Sequence, residues 1–130
     1  MGMIYLDTCM LIYLYERSDA VGDRARALLH GASGQRLAIS PLVKLECLVS
    51  PIRNGNFTLI QSYEDLFPKF ENLELNEEGF LRAAELRARY GLKTPDALHL
   101  AVAQLHHCSA LWTNDERLAM ASRGLARQVL

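Results

Sequence analysis

Four acidic residues stand where apolar segments end or where helices begin, and together they could hold a divalent cation. Asp7 directly follows the apolar run Met3–Leu6, and Asp115 comes shortly after the apolar run Ala110–Trp112. Asp96 stands in the first turn of one expected helix, and Glu46 lies two turns into another. Because the carboxyl ends of parallel strands meet at one edge of a sheet, we expect Asp7 and Asp115 to emerge side by side.

The chemistry of such a cluster follows from its charge. Carboxylates brought together repel one another unless a cation neutralises them. Oxygen ligands without a nearby His or Cys cage favour Mg²⁺ or Mn²⁺ over zinc. Each acid also has a purely structural interpretation, since an Asp after a strand is often a helix cap and Asp96 suits a first helical turn. The prediction of a metal site therefore depends on the joint placement of all four.

The elements that must position these acids alternate along the chain. Short apolar strands separated by helices predict a parallel sheet flanked by helices, an α/β fold in one domain over residues 1–130. The expected strands are Met3–Leu6, Arg36–Ile39, Asn72–Leu75, Ala110–Trp112 and Gln128–Leu130. The expected helices are Cys9–Glu16, one capped by Ser18, one from Ser40-Pro41 to about Val49, Leu59–Leu66, Glu77–Tyr90, Pro95–His107 and Asp115–Ser122.

Helical periodicity predicts which faces pack inward. The helix Pro95–His107 is apolar almost all round and should lie in the core. In the two other long helices the expected inward residues are Leu42, Leu45, Leu48 and Val49 for the first and Phe80, Ala83, Ala84 and Leu86 for the second.

Net charge argues against a protein that coats nucleic acid. Fourteen Lys and Arg face fifteen Asp and Glu, a balance of −1, whereas proteins that bind nucleic acid by bulk electrostatics are usually basic. With the four candidate site acids set aside, the rest of the chain carries 14 − 11 = +3. An enzyme with an acidic pocket in a mildly basic body is therefore compatible with the composition.

Other sequence features bound the cellular context. Cys9, Cys47 and Cys108 are isolated, with no C-x-x-C pair, so we expect reduced packing residues and neither disulfides nor a zinc site. Asp7 comes too early for a signal peptide, and no apolar run approaches the roughly 20 residues of a membrane span, which predicts a cytoplasmic protein. Met1 and Gly2 precede a second methionine, a pattern typical of residues added by cloning, which would place the native start at Met3.

The chain resembles the PIN-domain ribonucleases, and most closely the VapC toxins of type II toxin–antitoxin pairs. Four stretches carry the likeness: IYLDT with Asp7, ISPLVKLE with Glu46, LKTPDALHLAVA with Asp96, and LWTNDERL with Asp115. Their order, their spacing and the total length agree, so the resemblance covers essentially the whole chain. One departure is Cys9, where many relatives carry Asn or Ser, and it affects only a minor polar contact near Asp7.

The resemblance implies a PIN-like three-layer fold, with a central, mostly parallel sheet of four to five short strands. It also implies an endoribonuclease whose acids hold one or two Mg²⁺ ions, with Mn²⁺ as a substitute. Asp7 and Asp96 would be the primary ligands, and Asp115 would complete the site directly or through water. Glu46 would orient or deprotonate the attacking water.

Neighbouring polar residues have weaker assignments. Thr113 and Asn114, and less strongly Thr8, could donate the hydrogen bonds that fix the carboxylates. We expect His99 to be a satisfied, partly buried histidine and Trp112 to belong to the core. Four basic residues near the motifs could contact phosphates or simply be solvated: Lys44, Arg53, Lys93 and Arg117.

The family likeness also suggests partners: an RNA substrate, a second copy of the chain and a cognate antitoxin. Such an antitoxin would lay a peptide across an apolar groove and direct a basic side chain at the acids. The expected groove residues are Met10, Leu11, Tyr13, Leu14, Tyr15 and the segment Leu59–Phe70.

Three other functions can be compared with the nuclease interpretation. A haloacid-dehalogenase type of phosphatase with Asp7 as nucleophile requires D-x-D, but the chain has Asp7-Thr8-Cys9. A receiver-type domain requires paired acids and a late Lys, which the sequence does not offer. A non-catalytic PIN-like binding module is the remaining alternative, although such a module has no use for four mutually repelling acids.

Overall fold

The computed structural model describes residues 2–32 and 34–130, so Met1, the first residue of the suspected cloning addition, lies outside the described part. The strands are β1 Met3–Leu6, β2 Arg36–Ile39, β3 Glu71–Asn72, β4 Ala110–Thr113 and β5 Ala126–Gln128. The helices are α1 Thr8–Glu16, α2 Ala20–Gly31, α3 Pro41–Arg53, α4 Phe57–Leu66, α5 Glu77–Tyr90, α6 Thr94–Leu105 and α7 Glu116–Ala121, and a 3₁₀ turn, Phe67–Lys69, follows α4.

The sheet has five strands in the order β3-β2-β1-β4-β5, and every strand pair is parallel. This confirms the predicted α/β class and the upper strand number, and the sheet is wholly rather than mostly parallel. All four residues of β1 are buried at its centre, because helices cover both faces of a parallel sheet. In the register of β1 and β4, Leu6 lies opposite Trp112, so the ends of the two strands are adjacent.

Helix α6 is the core helix that its composition predicts. Every residue from Ala97 to Ala103 is buried, and the helix packs closely against α5. Its alanines allow neighbouring backbones to approach, so α6 can lie deep in the domain with Asp96 at its first turn near the edge of the sheet.

Several predicted boundaries are wrong by a few residues. Helix α3 continues through Pro51 to Arg53, since proline forfeits one backbone hydrogen bond but its ring is buried. Asp19 caps α2 in place of Ser18, and its carboxylate accepts from Gly22 N. Strand β3 has only two residues and begins one residue before the predicted Asn72–Leu75, with which it shares Asn72. Strand β5 ends at Gln128, where the predicted strand begins.

The predicted inward faces of α3 and α5 need larger corrections. Helix α3 buries Val43, Cys47 and Pro51, so Leu45 and Val49 are exposed. In α5 the buried residues include Ala83 and Leu86, as predicted, but Phe80 and Ala84 are exposed. Both helices carry more apolar residues than one face can hold, and packing against the sheet selects one stripe.

The cysteines are free, in agreement with the sequence prediction. Burial raises the pKa of Cys9 to about 12, of Cys47 to about 12 and of Cys108 to about 11, so the thiols stay protonated at neutral pH. Within the described residues, none of the helices has both the length and the apolar character needed to cross a bilayer.

Candidate active site

Asp7 and Asp115 meet at the carboxyl edge of the sheet, where the parallel arrangement predicts them. Asp7 follows β1 directly, and its backbone N–H donates to Trp112 O on β4 at 3.0 Å. Each acid also caps a helix. Asp7 Oδ1 accepts from Thr8 N at 2.7 Å, and Asp115 Oδ1 accepts from Arg117 N at 2.9 Å. Both acids therefore have the capping role of the structural interpretation, and both lie at the same edge of the sheet.

One threonine hydroxyl joins these two acids. Thr113 Oγ1 donates to Asp7 Oδ2 at 2.7 Å and accepts from Asp115 N at 3.0 Å. Thr113 is fully buried and Asp7 nearly so. This contact fixes both the orientation of the Asp7 carboxylate and the start of α7, as the sequence suggested for Thr113. Asn114 differs, because its amide donates to Tyr13 Oη at 3.2 Å and not to an acid.

Glu46 belongs to a second set of contacts at the same edge. Its Oε1 accepts from Thr8 Oγ1 at 2.7 Å and lies 2.6 Å from His99 Nε2. Burial alone would raise the pKa of Glu46, but the hydrogen bonds from His99 and Thr8 hold this pKa below its usual range. The side chain keeps 28% of its surface exposed. Glu46 is thus an ionised, oriented carboxylate that solvent can reach.

His99 links this carboxylate to the core. Its Nδ1 lies 2.6 Å from Tyr5 Oη, which in turn lies 2.8 Å from Ser40 Oγ. Burial raises the pKa of Tyr5, so the phenol remains a donor. One arrangement satisfies every partner. His99 donates from Nε2 to Glu46 and accepts at Nδ1 from the Tyr5 hydroxyl, and the Tyr5 oxygen accepts from the Ser40 hydroxyl.

The prediction for His99 was correct in one respect and incomplete in another. The ring is satisfied and only 1% exposed, but it also reaches the acids, with Nε2 3.5 Å from Asp7 Oδ1. The useful signal was its position one turn after Asp96, on a helix whose other inward residues are apolar. A histidine there must find a polar partner, and the nearest candidates are the acids.

Asp96 is the acid with the least compensation. It lies in the first turn of α6 and is half-buried, and no hydrogen-bond donor in residues 2–32 or 34–130 reaches its carboxylate. Burial first, and then the charges of Asp115 and Asp7, raise the pKa of Asp96 to about 6. The charges of the three other predicted acids therefore all act on the Asp96 carboxyl.

The donor chemistry fits a hard divalent cation. The acids supply oxygen ligands, and each of Asp115 Oδ2, Glu46 Oε2 and the Asp96 carboxylate is free of hydrogen bonds within the described chain. No three His, Cys, Asp or Glu side chains among these residues are yet gathered closely enough to form a ready-made metal cage.

Comparison with known proteins gives a consistent result. A family model described as PIN domain matches residues 4–123. A toxin–antitoxin complex from Klebsiella pneumoniae contains a chain that superposes with a TM-score of 0.80 at 26% identity, with 98% of each chain covered. No curated protein matches the chain.

Two further structures show the same fold at lower identity. VapBC2 from Rickettsia felis, bound to promoter DNA, superposes with a TM-score of 0.78 at 18% identity, over 96% of this chain and 97% of that one. VapC20 of Mycobacterium tuberculosis is described as a toxin that cleaves the sarcin–ricin loop. It superposes with a TM-score of 0.75 at 19% identity, over 91% of this chain and 94% of that one.

Proposed function

Because this chain belongs to the PIN domain family, we propose that it is a Mg²⁺-dependent endoribonuclease and the toxin of a type II toxin–antitoxin pair. The observation that carries the proposal is the cluster of four carboxylates at one edge of the sheet, in which Asp96 is held with a raised pKa and without a donor. Such an arrangement costs stability unless a cation uses it. The 26%-identical chain in a toxin–antitoxin complex supports the toxin assignment.

Asp7, Asp96 and Asp115 would hold the ion, which Mn²⁺ could replace. When bound, it would neutralise phosphate charge and lower the pKa of water. Thr113 keeps the Asp7 carboxylate in one orientation and couples it to the start of α7, so that the ligands keep their spacing.

Glu46 would orient the attacking water. Its Oε1 is engaged with Thr8 and His99, which leaves Oε2 to accept a hydrogen bond from water. Since its pKa lies below the usual range, Glu46 stays ionised at neutral pH and is a poor proton acceptor. Of the two roles that the sequence left open, orientation therefore fits better than deprotonation.

The proposed antitoxin would occupy a groove beside α1 and α2. A cavity of about 520 Å³ there has apolar walls that include Leu14, Leu37, Leu66 and Phe70. Leu14, Leu66 and Phe70 are among the residues that the sequence analysis expects in this groove. Met10 and Leu11, which the sequence analysis also placed there, are fully buried core residues, because the inner face of α1 packs on the sheet.

The proposed homodimer would use α3 and the start of α4. Leu45, Val49 and Ile52 recur at helical spacing on the outer face of α3, and Phe57 is 79% exposed nearby in sequence. Monomeric proteins rarely expose a stripe of this kind. We call Leu45, Val49 and Ile52 of α3, together with Phe57 at the start of α4, the α3 stripe.

The proposed activity is tested by incubating the purified protein with single-stranded and structured RNA, with Mg²⁺ or with EDTA. We expect cleavage only with Mg²⁺ and loss of cleavage in Asp96→Asn and Asp7→Asn. Asp65→Asn, an exposed change on α4, is the matched control. Metal binding without cleavage of any RNA would favour the non-catalytic PIN-like module, and dephosphorylation of small esters would favour the Asp7 phosphatase.

A further inference from the structure

A small polar depression lies between the C-terminal half of α5 and the end of α7. Its walls include one carboxylate, Glu85, beside Arg82, Arg89, Tyr90 and Arg123, and its volume is about 100 Å³. Pockets for whole small molecules usually measure about 300 Å³ or more. The depression therefore suits a single phosphate group better than a complete nucleotide.

Two of these arginines carry uncompensated charge. Arg82 is neutralised by Glu85 at 3.1 Å and also donates to Gln104. Arg89 and Arg123 are exposed, and in the described part of the chain no carboxylate lies within 4.0 Å of either.

Arg89, Tyr90 and Arg123 all line this depression, and Arg89 first and then Arg123 lower the pKa of Tyr90. Arginine cannot shed its proton, so two such neighbours are best stabilised by an anion.

A second depression shares Tyr90 with the first one. An adjoining cavity of about 380 Å³ is lined by Tyr90, Leu92, Arg117 and Met120, so Tyr90 borders both spaces. Arg117 follows Asp115 by two residues and is exposed, with no ion pair in the described residues. Asp96 follows Tyr90 by six residues, a span of at most about 22 Å. A flexible polyanion can thus reach from one site to the other.

We propose that this surface, the α5–α7 track, binds the backbone of a single-stranded RNA segment that flanks the cleaved bond. Arg89 and Arg123 grip one phosphate, a geometry that guanidinium groups match through paired N–H donors. Tyr90, which is 36% exposed, offers its ring to an adjacent base. The inference rests on the proposed ribonuclease function, because it assigns the path of that enzyme's substrate.

The test measures binding apart from cleavage. The wild type, the double variant Arg89→Gln/Arg123→Gln and the variant Tyr90→Ala are each titrated into a short fluorescent single-stranded RNA in the presence of EDTA. Fluorescence anisotropy measures the binding. We expect the double variant to weaken binding about tenfold and to reduce the slope of log affinity against log salt by about 0.7 for each phosphate that the protein no longer neutralises. Tyr90→Ala should weaken binding at least about fivefold and leave the salt slope unchanged.

Matched variants keep the result interpretable. Arg24→Gln/Arg127→Gln removes the same charge from exposed positions on α2 and β5 and should bind like the wild type. Arg89→Lys/Arg123→Lys retains the charge and should recover most of the affinity and all of the salt slope. Thermal melting checks that every variant is folded.

The outcomes separate the two proposals. Equal weakening by the α5–α7 pair and by the control pair would overturn the track, since only net charge would then matter. Normal Mg²⁺-dependent cleavage with unchanged binding in the α5–α7 variants would overturn the track and leave the ribonuclease proposal standing. RNA binding that depends on the track, without cleavage under any condition, would support the track and refute the ribonuclease.

Discussion

At the scale of single residues, the candidate site is built from side chains that each do two things. Asp7 and Asp115 cap helices and also face the acidic cluster. The Thr113 hydroxyl donates a hydrogen bond to the Asp7 carboxylate and accepts one from the backbone N–H of Asp115. Such shared contacts restrain the carboxylates without a dedicated scaffold. Asp96 is the exception, and its raised pKa reflects its burial first and then the charges of Asp115 and Asp7.

The Asp96 shift predicts a pH dependence of stability in the metal-free protein. The folded chain, with a pKa of about 6 at Asp96, holds this proton more tightly than the unfolded chain, whose value is about 3.9. The free energy of unfolding should therefore fall as pH rises from about 4 to about 6. Thermal melting in EDTA should show this decline in the wild type and a flatter curve in Asp96→Asn. Added Mg²⁺ should restore stability above about pH 6. Identical wild-type and variant curves would contradict the assignment.

His99 should position Glu46. In His99→Asn the amide can still meet Tyr5 but cannot reach Glu46, whereas in His99→Gln the longer side chain can approach Glu46 and loses Tyr5. We expect kcat to fall about 10- to 100-fold in His99→Asn, with KM little changed, and to fall less in His99→Gln. Both variants should lose stability, since each leaves a buried partner unsatisfied. If the two variants are folded and have the same kcat, the role of His99 is purely structural.

At the scale of elements, strand and helix ends decide where the chemistry lies. Ser40 is the N-cap of α3, but its hydroxyl makes no capping bond because it contacts Tyr5 instead. The beginning of α3 is thereby tied to the strand that carries Asp7. At the other side of the site, Gly91 ends α5 in the left-handed conformation, at φ +68°, and directs the chain back into α6.

Gly91 should resist substitution, even though a Cβ there would meet open space. Gly91→Ala should lower the free energy of unfolding by about 1 kcal/mol, because the left-handed region is unfavourable for L residues by about this amount. Gly31, at the end of α2, also has open space and has an ordinary φ, so Gly31→Ala is the matched control and should be neutral or stabilising. Chemical denaturation measures both, and equal effects would refute the conformational explanation.

At the scale of the whole molecule, charge is distributed unevenly around a total of −1. Four acids occupy one edge of the sheet, and uncompensated arginines lie on the adjoining α5–α7 track. Apolar surface is uneven too, since the α3 stripe leaves Leu45 59% and Ile52 61% exposed. These two asymmetries correspond to two of the three proposed partners, the RNA polyanion and a second copy of the chain.

The dimer proposal makes a direct prediction. Leu45→Glu/Ile52→Glu should convert a dimer into a monomer in sedimentation velocity, because charges cannot be buried in an apolar contact without a large cost. Met120→Glu, at another highly exposed apolar position, should leave the dimer intact. A monomeric wild type, or a double variant that still dimerises, would contradict the use of the α3 stripe.

Three properties can be predicted from the amino-acid sequence: the alternation of strands and helices, the parallel class of the sheet, and the edge at which Asp7 and Asp115 emerge. These properties follow from local patterns, namely apolar runs, caps such as Asn76, and terminators such as Gly91. Because the end of a strand is marked locally, the positions of acids that follow strands can be predicted from the sequence.

The remaining features depend on tertiary packing. It selected Val43 and Cys47 over Leu45 as the buried face of α3, and it brought His99 to Glu46 across 53 residues. It also placed Arg89 beside Arg123. The physical reason is common to all three. A helix with more than one apolar stripe can be rotated in several ways, and only packing against the sheet selects the rotation. The partners of side chains distant in sequence follow from that choice.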